Sequence, residues 1–231
     1  MPVAGTHLRT GKPPATDLMP EICSAPSPSF GERRDGARPE LIVLHYTAME
    51  SAEAALQRLC DPEVEVSAHY LIAEDGRIWQ MVAEDMRAWH AGVGQWRGIE
   101  DVNSRSIGIE LANTGNHPFP EPQMAALEDL MRAIMRRWDI TAEGVIGHSD
   151  MAPTRKCDPG PRFDWERLEK QGLARRRGTG SPDRTLRELA QQIGFPADVD
   201  DETLLAAVRL RYRPWARGPL EPADLVPLSD T

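Results

Sequence analysis

The sequence predicts an α/β protein: a mixed β-sheet flanked by helices, followed by a small C-terminal three-helix module. Three observations carry that prediction. Short strand-like runs at Leu41–Leu44, Ser106–Leu111 and Val145–Ile146 alternate with segments whose apolar residues recur every three or four positions. Asp75-Gly76 between two strand-like runs marks a hairpin. Beyond Gly180 only helical spacing remains.

Residues 1–38 are rich in Pro, Gly, Ser and charge without periodicity, and are expected to form an extended N-terminal arm. Leu41-Ile42-Val43-Leu44 reads as a buried strand ending at His45. Ser51 to Cys60 places Ala54, Ala55, Leu56 and Leu59 at helical spacing, with Pro62 beyond as a stop. Ala68–Ile72 and Arg77–Val82 are the hairpin strands. Ser106–Leu111 alternates, with Ile107, Ile109 and Leu111 on one face and Gly108 and Glu110 on the other. Gln123–Trp138 is amphipathic, and Asp164 is placed to cap a helix reaching Leu173. Together, residues 39–174 are expected to form one mixed α/β sheet domain. Residues 175–181, Arg175-Arg176-Arg177-Gly178-Thr179-Gly180-Ser181, read as a solvated linker. Residues 182–231 form the helical module, with helices from Ser181-Pro182 through Ile193, over Asp201–Arg213 and over Glu221–Leu228.

The formal charge of the 231 residues is −9, which argues against electrostatic wrapping of nucleic acid or adhesion to an anionic membrane. Three scattered cysteines make no disulfide framework and fit a reducing compartment. The N-terminus as given has no apolar signal core and no run is long enough to span a membrane. A cytoplasmic monomer is expected, periplasmic or extracellular if the true start lies upstream.

Two of the six histidines, His45 and His148, directly follow short strands, where an α/β sheet gathers its functional groups. Asp158 follows within Lys156-Cys157-Asp158-Pro159-Gly160-Pro161, where Pro159 and Gly160 turn the chain and aim the carboxylate. Two imidazoles and a carboxylate make a three-ligand set for Zn²⁺ with a fourth position for water. By spacing alone, ordinary hydrogen-bonding histidines explain the pattern as well. Glu110 interrupts an apolar strand; it is either an edge-strand carboxylate turned to water or, if its face borders the metal, a general base. Lys156, two residues before Asp158, is either a surface lysine or an ammonium that stabilises an oxyanion.

Six segments occur in order: Val43-Leu44-His45-Tyr46-Thr47, Ser67-Ala68-His69-Tyr70-Leu71-Ile72, Ala88-Trp89-His90-Ala91-Gly92, Ser106-Ile107-Gly108-Ile109-Glu110, Gly147-His148-Ser149-Asp150 and Lys156-Cys157-Asp158-Pro159-Gly160-Pro161. Together they resemble the type-2 N-acetylmuramoyl-L-alanine amidases, zinc enzymes of peptidoglycan cleavage and recycling, over roughly residues 28 to 174. The resemblance implies zinc on His45, His148 and Asp158, with Glu110 and Lys156 assisting hydrolysis of the amide between the lactyl group and L-alanine in peptidoglycan or anhydro-muropeptides. His90 matches a family motif near the substrate groove and either contacts substrate or does not; Trp89 either stacks on the sugar or stem peptide or packs in the core, and Asn113 is a polar candidate for the same groove. Trp96 and Asn103 are further candidates, while His69 is expected to be structural. Related proteins carry cysteine where Asp158 stands, so Cys157 is read as a neighbour of the ligand. The tail loosely resembles peptidoglycan-binding modules, a helical cap on the catalytic unit being the competing reading. A non-catalytic peptidoglycan-recognition protein of the same fold is the functional alternative.

Overall fold

A computed structural model describes residues 21–229. Residues 1–20 of the expected arm, His7 among them, and the last two residues of the module lie outside the described residues.

The strands are β1 (Ile22–Ser24), β2 (Phe30–Gly31), β3 (Leu41–Tyr46), β4 (Tyr70–Ile72), β5 (Ile78–Gln80), β6 (Arg87–Ala88), β7 (Ser106–Leu111) and β8 (Val145–Gly147). Six of them form one sheet in the order β1-β5-β4-β7-β3-β8, and β2 pairs with β6 apart from it. β4, β7, β3 and β8 run parallel, β5 returns antiparallel to β4 as the hairpin signal requires, and β1 lies parallel to β5. β7 is therefore a central strand, which removes the edge-strand reading of Glu110.

The helices are α1 (Ala52–Leu59), α2 (Val102–Arg105), α3 (Glu121–Trp138), α4 (His148–Met151), α5 (Trp165–Lys170), α6 (Leu186–Ile193), α7 (Asp201–Tyr212) and α8 (Pro222–Leu225). Ser51 caps α1 through the Ala54 amide, and Asp164 caps α5 through the Arg167 amide. α6 begins at Leu186, later than Ser181-Pro182 suggested. Thr185 and Glu188 form a reciprocal capping box that fixes the start there.

Period-two alternation divides the sheet into two apolar faces. Ile42, Leu44, Ile107, Ile109 and Leu111 pack against Leu127, Leu130, Met131 and Ile134 of α3 and Leu168 of α5. On the other side, Leu41, Val43 and Ile146 share one cluster with Leu189 of α6 and Leu204 and Val208 of α7. Trp96 belongs to this core, its ring edge-on to Phe195 at 5.4 Å, so it faces no sugar.

Two segments are more ordered than composition suggests. Part of the expected arm supplies β1 and β2. In the basic linker, Arg177 pairs with Glu169, Gly178 donates its amide to the Pro227 carbonyl and Arg175 donates to the same oxygen. Among the described residues, no helix is long and apolar enough to cross a membrane.

Candidate active site

Parallel pairing brings the chemistry together. In the β3–β7 register His45 stands beside Glu110, and in the β3–β8 register Leu44 stands beside Gly147, the residue before His148. His45 thus sits near the carboxyl end of its strand, and His148 opens α4 directly after β8. Asp158 arrives on the following loop, where its carbonyl accepts the Ser149 amide at 2.9 Å and joins the segment that carries it to the one that carries His148. A Cβ on Gly147 would stand 2.8 Å from Pro159, so the close approach of those segments requires glycine.

His45 Nδ1 lies 2.9 Å from His148 Nδ1 and 2.9 Å from Asp158 Oδ2, and His148 Nδ1 lies 3.1 Å from the same oxygen. All three residues are buried. Ligand atoms around a tetrahedral ion with bonds of about 2.0–2.1 Å stand about 3.3 Å apart, so this triangle suits a small divalent cation. Burial, with His148 beside it, pushes the His45 imidazole down to about 4, which favours the neutral form that metal binding requires. Burial acts to raise the Asp158 carboxyl, but the imidazoles of His148 and His45 against it more than offset that and hold it below the usual carboxylate range.

A cavity of about 350 Å³ opens over the triangle, lined among others by His45, Tyr46, Trp89, Glu110, Lys156 and Asp158. Glu110 Oε2 is buried with no hydrogen-bond partner among the described residues. Burial first, then the Asp158 charge, pushes its carboxyl up to about 8, with Lys156 acting in the opposite sense. An unpartnered buried carboxylate oxygen beside three ligand atoms marks a place for a further group. Lys156 is exposed on the cavity wall. Cys157 is also exposed, its Sγ 3.4 Å from the Tyr46 hydroxyl and outside the ligand triangle.

The expected substrate contacts divide. Trp89 lines the cavity. Asn113 does not: it is 1% exposed, its Oδ1 accepts the Gly115 amide and its Nδ2 donates to the His117 carbonyl, so it shapes a loop. His90 reaches the cavity but spends both ring nitrogens inside the protein, Nδ1 lying 3.0 Å from His45 Nε2 and Nε2 3.1 Å from Ser106 Oγ. Burial, with His45, His69, His148 and Arg33 nearby, holds its imidazole well below the ordinary value. Asn103 Oδ1 accepts the amides of His90 and Ala91. His69 is fully buried, accepting the Gly108 amide at Nδ1 while Nε2 lies 3.1 Å from the Met86 carbonyl. Ser106 and Asn103 as supports were not evident from sequence. The available signal was Gly108: a Cβ there would stand 2.4 Å from the His90 ring, and glycine inside a strand flags such an approach.

A sheet whose parallel strands deliver two imidazoles, a carboxylate and an adjacent acid to one cavity has the make-up of a metal-dependent hydrolase. Residues 35–161 match the N-acetylmuramoyl-L-alanine amidase family. N-acetylmuramoyl-L-alanine amidase AmiD of Escherichia coli K12 is 41% identical over 152 residues, covering 59% of this chain and 54% of that protein. The 1,6-anhydro-N-acetylmuramyl-L-alanine amidase AmpD of the same organism is 40% identical over 160 residues, covering 62% of this chain and 87% of that one. Among solved structures, E. coli AmiD in complex with the substrate anhydro-N-acetylmuramic acid-L-Ala-D-gamma-Glu-L-Lys superposes with a TM-score of 0.74 at 31% identity, over 87% of this chain and 95% of that chain. AmpDh3 of Pseudomonas aeruginosa in complex with anhydromuramic pentapeptide gives 0.74 at 32% identity, over 84% and 91% respectively. The chain belongs to the N-acetylmuramoyl-L-alanine amidase family.

Proposed function

We propose that this protein is a zinc-dependent amidase that hydrolyses the bond between the lactyl carboxyl of N-acetylmuramic acid and L-alanine, with anhydro-muropeptides as substrates. The convergence of His45, His148 and Asp158 beneath a cavity that also holds Glu110 and Lys156 supports this reading above all else. The substrate in the AmiD complex and the anhydromuramic pentapeptide in the AmpDh3 complex support the anhydro-muropeptide assignment.

His45 and His148 through Nδ1, and Asp158 through Oδ2, would hold the ion. An ion held there would supply Lewis acidity toward the amide carbonyl and lower the pKa of the attacking water. With a bound cation offsetting the burial that raises it, the Glu110 carboxyl would be ionised, take up the water proton and pass it to the departing alanine nitrogen. Lys156 sets its ammonium against the oxyanion as charge develops. Trp89 offers an aromatic wall to the sugar or the stem peptide.

Mass spectrometry of anhydro-muropeptide and intact-sacculus digests, run with and without chelator, tests the proposal. Free stem peptide from the anhydro-muropeptide, lost on chelation and restored by zinc, is the expected result, with His45→Ala inactive in every arm. Substrate binding without turnover at any metal loading would return the recognition-protein alternative, and cleavage of sacculi alone would overturn the substrate assignment.

A further inference from the structure

Behind the ligand triangle a row of hydrogen bonds runs into the protein. Ser106 Oγ donates to the Val102 carbonyl at 2.6 Å. A hydroxyl has one proton, so toward His90 Nε2, 3.1 Å away, Ser106 accepts. Neutral His90 then carries its proton on Nε2 and offers a lone pair at Nδ1. His45 Nε2, 3.0 Å from that lone pair, is the donor. The His45 proton is held on Nε2, leaving Nδ1 bare toward His148 and Asp158. His148 reaches the same state separately, donating from Nε2 to the Ala91 carbonyl at 2.8 Å. One buried amide oxygen, Asn103 Oδ1, fixes the backbone of both His90 and Ala91. Three lone-pair atoms therefore face one another within 3.1 Å, a repulsive arrangement that a cation relieves.

Resting on the metal-dependent reading above, we propose that His90 is a positioning residue: together with Ser106 it locks the tautomer of His45, so that the metal site is prepared in the metal-free protein. Its role is thus toward a ligand histidine and not toward substrate, and the Gly108 backbone leaves the space its ring needs.

Long-range ¹H–¹⁵N correlation spectra of the metal-free protein report which nitrogen of His45 is protonated, and titration against a competing chelator reports zinc affinity. Wild type is expected to hold His45 as Nε2–H. His90→Phe, which keeps ring volume without an acceptor, mixes the tautomers and weakens zinc binding by about 10–100-fold. His90→Asn, whose Oδ1 stands where Nδ1 stood, recovers much of that affinity, and Ser106→Ala falls between. A purely structural His90 would lower melting temperature while leaving the His45 tautomer unmoved. The proposal is overturned if folded His90→Phe keeps His45 as Nε2–H and binds zinc as wild type does. Should that variant not fold, the same two results in Ser106→Ala overturn it. An unmoved His45 tautomer together with equal zinc binding in the variants removes this proposal alone, whereas wild-type protein that bound no zinc would remove the functional reading with it.

Discussion

Glu110 stands beside His45 in the register of two parallel strands, with a carboxyl pushed up to about 8 by burial and by Asp158. A folded-state value raised above the ordinary carboxylate range favours folding at low pH, and that contribution disappears as pH climbs through about 8. Glu110→Gln removes the dependence. In metal-free protein its melting temperature should match wild type near pH 5 and exceed it by about 5 °C near pH 8; coincident curves at both pH values would contradict the burial argument. Metal-loaded Glu110→Ala should bind zinc normally and turn over at least about 10²-fold more slowly, a comparison that steady-state kinetics beside metal analysis makes directly. Gly108→Ala should cost about 1–3 kcal/mol in chemical denaturation, because the new methyl meets the His90 ring at 2.4 Å. The residues at strand ends were legible in the sequence because apolar runs announce where a sheet delivers its side chains. The supporting roles of Ser106 and Asn103 were not, since a serine or asparagine gains such a role from partners that only the folded chain brings near.

Elements were legible in proportion to their length. α3, with eighteen residues and a continuous apolar stripe, and β7, with clean alternation, stood where periodicity put them. β1 and β2 have three and two residues, too few to display a period, and their pairing partners lie far along the chain. α7 shows why charge is a poor guide to exposure. Its Arg209 pairs with Asp224, while Arg211, 4% exposed, pairs with Asp150 at 2.5 Å and lies over the Trp165 ring. Asp150 also accepts the Gly147 amide, so α7 braces the turn that presents His148. Arg211→Leu strands a buried carboxylate and should cost about 3–5 kcal/mol in denaturant unfolding. Retention of wild-type stability would mean that this ion pair does not brace the turn.

At the scale of the whole chain, one apolar cluster crosses from Leu41, Val43 and Ile146 of the sheet to the helices of the tail. The tail is packed as a cap, and amphipathic spacing could reveal that its helices have an apolar stripe without revealing which surface the stripe meets. Deleting residues 182–231 should therefore expose sheet residues that are otherwise dry, and light scattering should find the shortened protein aggregated where the full chain is not. The form of that aggregate follows from Arg211, which donates to the Val145 carbonyl at 3.1 Å as well as to Asp150. β8 is the last strand in the sheet order among the described residues, and this tail guanidinium sits on one of its backbone carbonyls. Without the tail, β8 becomes a template on which another copy can add its own backbone. The shortened chain should associate by strand recruitment, gaining ordered intermolecular β-structure, and the helices that steady a catalytic turn also keep neighbouring molecules apart.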